Sequence, residues 1–199
     1  MTNSKSTDIY AKVLSLIFYP SFIQTVMSSF IIRNAINQWA VWLCFFFLPI
    51  LFSVLYLNIV KMPKNHTWVV PKEFRIFPLS FALIGTIVFF VFFTHNERSF
   101  LKIITLSSIL LTAIALPITY FWKVSLHMIG MGAFSTFLVI FFNFHWFSVC
   151  FALIVSHQVA WARMYLKSHD LWQVLIGYLL GILCFLIAFI YYQNNFHTI

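Results

Sequence analysis

Charge is what this chain of 199 residues has least of: Asp, Glu, Lys and Arg make up 8% of it. Soluble domains carry about 25%, and a surface facing water needs polar groups, so a water-soluble globular protein is excluded. Acid is scarcer still. The chain holds four carboxylates, Asp8, Glu73, Glu97 and Asp170, and of these only Glu73 and Asp170 fall near the cationic clusters described below. That argues against a carboxylate-bound Mg²⁺ site. Cys44, Cys150 and Cys184 all lie inside apolar runs, with no CxxC and no Cys/His metal spacing, so they read as buried, unpaired thiols. The polar N-terminus, MTNSKSTDIYAK, lacks the small-residue cleavage pattern of a secretory signal, so the first apolar segment is expected to be retained. No repeat, low-complexity tail or second domain is visible. Residues 1–199 read as a single integral membrane domain.

What fills the chain instead is hydrocarbon. Hydrophobic residues make up 62% and aromatics 21%, with 26 Phe, and the mean hydropathy is +0.96. The class is an all-α, polytopic transmembrane helical bundle. Candidate spans cover residues 13–32, with Pro20 and Gln24 inside; 39–60, with Pro49; 78–94; 103–122, with Pro117; 127–142; 145–162; and 171–192. Each approaches the ~20 residues that cross about 30 Å of hydrocarbon. The count is six, or seven if residues 13–32 cross; Pro20 and Gln24 make a broken or re-entrant segment the alternative there. The net charge of +8 suits membrane orientation and contact with anionic lipid. Nucleic acid is not an expected partner, because no soluble basic face exists.

Parity organises the polar residues. Two spans separate the connector bearing Lys72 and Arg75 from Lys123 and His127, and two more separate His127 from Arg163 and His169. An even number of crossings returns the chain to the same side. Three clusters far apart in sequence are therefore expected at one membrane face. Fixed cations there suit a phosphate, for which Arg offers a planar fork and Lys a point charge. Two histidines add the means to attack phosphorus and to protonate a leaving group. No metal and no cofactor is called for.

The run ARMYLKSHDLWQ, with five residues between Arg163 and His169 and an apolar helix with spaced glycines behind them, resembles the third motif of the type 2 phosphatidic acid phosphatase superfamily. That superfamily comprises membrane lipid phosphatases and haloperoxidase-like relatives. VSLH resembles the second motif, with Ser125 and His127 at its serine and histidine positions, and KEFRIFP resembles the first, with Arg75 and Lys72. WKVSLHMIG and RIFPL are similar to a divergent bacterial branch, which implies a bacterial inner membrane. The resemblance covers about residues 72–183. It implies a nucleophilic His169 passing through a phosphohistidine, a general acid in His127, and phosphate held by Arg163, Arg75, Lys72, Lys123 and Ser125. The implied substrate is a phosphorylated membrane lipid, a polyprenyl diphosphate or a phosphatidyl phosphate.

Three positions of the second and third motifs depart from the family pattern, and in the first Ile76 and Phe77 stand between Arg75 and Pro78 and the lysine spacing is shortened. Gln173 stands where the family has an aspartate, four residues after the nucleophile. On a helix that spacing still lets an amide oxygen accept the His169 Nδ1 proton, without a carboxylate's charge. Asp170 points about 100° away from His169 and is a poor substitute. Val124 and Leu126 replace the proline and glycine of the second motif. These departures motivate the alternative, a catalytically silent relative that binds lipid or serves as a homo-oligomer or subunit of a membrane assembly. Gly177 and Gly181 form a GxxxG, read as close helix packing, and His157 as a group behind the site or bonding between helices. Counting cations, the site face is cytoplasmic; the resemblance implies an outward face.

Overall fold

The computed structural model describes residues 2–32, 35–47, 51, 55–56, 75–94 and 99–196. Every regular element among them is helical. α1 spans Thr2–Ile17 and α2 Pro20–Ile31. Pro20 sits at the first turn of α2, where its missing N–H costs nothing, and the two helices meet at 51°. α3, Ala35–Val41, runs into a π-helical turn, Trp42–Phe47. Then come α4 (Ile76–Phe93), α5 (Ser99–Phe121), α6 (Leu126–Phe141), α7 (Trp146–Tyr165) and α8 (Leu171–Phe196).

Among the described residues, four helices are long and apolar enough to cross a membrane, namely α4, α5, α7 and α8; the α1–α2 pair makes a fifth if it is one broken span. Six or seven spans are not confirmed among the described residues. α6, expected as a span, has 16 residues. Most of the expected span 39–60 lies outside the described residues.

α4 shows what lipid exposure looks like. Only Thr86 and Phe89 are buried along it, while Ile84, Val88, Val91 and Phe92 are exposed. Such a surface is stable only against other apolar material. α6 is the opposite, with nine of its residues buried: Met128, Ile129, Met131, Gly132, Ala133, Ser135, Thr136, Phe137 and Ile140. It packs most extensively on α8, and glycine makes that possible. A Cβ on Gly181 would lie 2.1 Å from Ile129 O, and one on Gly132 would lie 2.1 Å from Tyr178 O. The two backbones touch, as small residues permit inside membranes, where packing replaces the hydrophobic effect. Gly177 continues the contact toward the site, its missing Cβ 2.8 Å from Ser125 O. The expected close packing is thus present, and it joins the helix after Ser125 to the helix after His169.

Candidate functional site

The turn between α7 and α8 explains the Arg163–His169 spacing. Lys167 adopts φ +50°. Its N–H donates to Met164 O at 2.9 Å, and Ser168 N–H donates to Arg163 O at 3.1 Å. This paired pattern ends a helix through one left-handed residue, so the chain reverses between Arg163 and His169. Arg163, in the last turn of α7, and His169, just ahead of α8, then face the same space. Asp170 caps α8, its Oδ1 accepting from Gln173 N–H at 2.9 Å. The acid is used by the helix end and not by the histidine, as its direction predicted.

Gln173 does what its spacing allows. Its Oε1 lies 2.9 Å from His169 Nδ1. An amide oxygen can only accept, so Nδ1 carries the proton and Nε2 keeps its lone pair. His169 is 7% exposed. Burial, and next the charges of Arg75 and Arg163, push its pKa from 6.5 down to about 3, with Gln173 opposing and Lys123 adding to the fall. At neutral pH the ring is uncharged, with Nε2 available as a nucleophile.

Arg75 reaches the same place from the start of α4. It is 8% exposed, and its Nη1 donates to Val124 O at 3.5 Å. Arg163 is 5% exposed, and its Nε has no hydrogen-bond partner. Ser125 Oγ and Ser168 Oγ are likewise buried without partners. A buried donor without an acceptor is costly, and these three atoms are among several such in the described residues. Lys123 is half-buried, and burial followed by Arg75 and Arg163 lowers its pKa. Leu126, at the glycine position of the second motif, is an ordinary first residue of α6 with no positive φ.

His127 is placed by an element the motifs do not contain. Its Nε2 lies 3.0 Å from Ser15 O at the end of α1, and the Tyr19 ring meets the imidazole edge-on at 5.7 Å. A carbonyl only accepts, so Nε2 carries the proton and α1 holds it. The signal in the sequence was Pro20, which marks the break, but nothing local ties that elbow to His127.

Arg75, His127, Arg163 and His169 line one cavity of about 320 Å³. Lys123 and Ser125 do not line it. Lys72, with Glu73, lies outside the described residues. From its cationic end the cavity continues between α2, α4, α5 and α6, along side chains such as Met27, Leu79, Leu111 and Ala133. The site is a pole of fixed positive charge opening onto a largely apolar slot. His157 is not part of it: the side chain is exposed on α7, and the neighbouring Gln158 is the one that bonds across, accepting from Tyr10 Oη at 3.4 Å. His145 caps α7, its Nδ1 accepting from Phe147 N–H at 3.4 Å.

No protein-family model, curated protein or solved structure matches this chain. The site is therefore read from its own chemistry.

Proposed function

We propose that this protein is an integral membrane phosphatase acting on a phosphorylated lipid, in a bundle of six or seven crossings, without metal or other cofactor. The observation that carries the reading is the convergence of Arg75, His127, Arg163 and His169 on one cavity with an apolar slot behind it. His169 Nε2 attacks phosphorus, and the P–O bond to the lipid alcohol breaks. Arg163 and Arg75 hold the three outer oxygens and stabilise the charge that builds there. Lys123 and Lys72 add positive charge beside those oxygens, and Ser125 donates a hydrogen bond to one of them. The departing alkoxide takes a proton from His127, which acts as the imidazolium and is left neutral. Water then attacks the phosphohistidine with His127 as base, and inorganic phosphate leaves. Gln173 keeps the His169 tautomer throughout. The lipid tail stays in the slot, entering between helices.

The test is phosphate release from dioleoyl phosphatidate and from a polyprenyl diphosphate by protein in nanodiscs. His169→Ala should abolish it; full activity in that variant contradicts the mechanism. A second reading, a silent lipid-binding relative or a subunit of a membrane assembly, is favoured by two contacts. The His169 partner is an uncharged amide, and the His127 proton is held by Ser15 O, a bond that must open before the proton can move. Binding of orthovanadate or a lipid phosphate with no turnover would support it.

A further inference from the structure

We propose that Gln24 is a specificity-determining residue, reading a hydrogen-bond acceptor in the neck of the ligand just below its phosphate. This rests on the reading of the cavity as a lipid-phosphate site. Gln24 lines the cavity, and its Nε2 is buried without a partner. An amide N–H₂ with no acceptor is costly inside a membrane. The neighbouring polar groups do not relieve it: Ser108 Oγ donates to Ile104 O at 2.9 Å and Thr112 Oγ1 to Ser108 O at 2.7 Å, each within its own helix.

The position fits a neck. Tyr19 stands against His127 at the cationic end. α2 leads away from there, since a Cβ on Gly130 would lie 3.5 Å both from Pro20 Cα and from Ile23 Cδ1, one turn along α6. Gln24 is five residues past Tyr19, about 7 Å further along the helix at 1.5 Å per residue. In a glycerol phosphate ester, five bonds of about 1.5 Å place the acyl carbonyl about 6 Å from phosphorus. A prenyl chain offers no acceptor at that depth. Gln24 therefore favours a phosphate on an acyl-ester neck over one on hydrocarbon or ether.

The experiment compares two probes that share the phosphate: dioleoyl phosphatidate and its dioleyl ether analogue. Each is bound to full-length protein in nanodiscs and read by native mass spectrometry, with dioleoylglycerol as the phosphate-free control. The wild type should bind the ester about two- to tenfold tighter, the worth of one hydrogen bond. Gln24→Leu should bind both with the affinity the wild type shows for the ether, which also shows that the variant is folded. Equal binding of ester and ether by the wild type overturns the role of Gln24 and leaves the phosphate site standing, whatever the variant does. Equal weakening of both by Gln24→Leu does the same. If neither phosphate binds better than dioleoylglycerol, the role of Gln24 falls together with the phosphatase reading.

Discussion

His169 and Gln173 show how one side chain sets the chemistry of another. The amide fixes the proton on Nδ1 but brings no charge, so its hydrogen bond opposes burial, Arg75 and Arg163 only in part, and the ring titrates at about 3. Between about 3 and 6.5 an unfolded chain holds a proton on this ring and the folded one does not. Stability is therefore fully present above 6.5 and is lost as the pH falls toward 3. Thermal unfolding in nanodiscs should show a lower midpoint at pH 5 than at pH 7.5, and His169→Gln should flatten that dependence. Gln173→Asp places a carboxylate on Nδ1, which raises the pKa of His169. The acid limb of phosphate release should move to higher pH with turnover retained or increased; an unmoved limb would mean that residue 173 does not control the ring. Lys167 makes a third case. A side chain in the left-handed region costs about 1 kcal/mol or more, so Lys167→Gly should raise stability by about 1 kcal/mol in a denaturation series.

At the scale of elements, the site is held by helix ends. The α6–α8 contact brings Ser125 and Gln173 together, with Ser125 N–H donating to Gln173 O at 3.3 Å. Gly181→Leu must push those backbones apart, because even a Cβ there would lie 2.1 Å from Ile129 O. It should cost more than about 2 kcal/mol and abolish orthovanadate binding, whereas substituting the exposed Leu179 should change neither. Much of this was legible beforehand. Helical spacing placed Gln173 on His169, the GxxxG foretold the tight crossing, and Arg75, His127 and Arg163, which parity expected on one face, line one cavity. The α1–α2 elbow was legible only as a break at Pro20. Its docking on His127 is made through a backbone carbonyl, Ser15 O, and carbonyls leave no mark in a sequence. His157 misled for the complementary reason: a polar residue amid hydrocarbon invites a partner, yet its helix turns it outward.

Across the whole molecule, hydrophobicity reports where lipid is but not how many times it is crossed. α6 has 16 residues and the second expected span lies largely outside the described residues, so length alone leaves four or five crossings. The site depends on less than the count: α5 must bring the chain back to the face where α4 began, and α6 and α7 must do so again. Cysteines at Asn65 and Asn96 should label from opposite sides of sealed vesicles, and labelling of both from one side would contradict the arrangement. The central claim is that His169 carries a phosphoryl group taken from a lipid. Wild-type protein in nanodiscs is mixed with dioleoyl phosphatidate labelled with ³²P, quenched in base within one turnover and digested for mass spectrometry. A base-stable, acid-labile phosphoryl group on the peptide bearing His169, absent in His169→Ala, is the expected result. Phosphate release without any such adduct, or undiminished release by His169→Ala, would contradict the account.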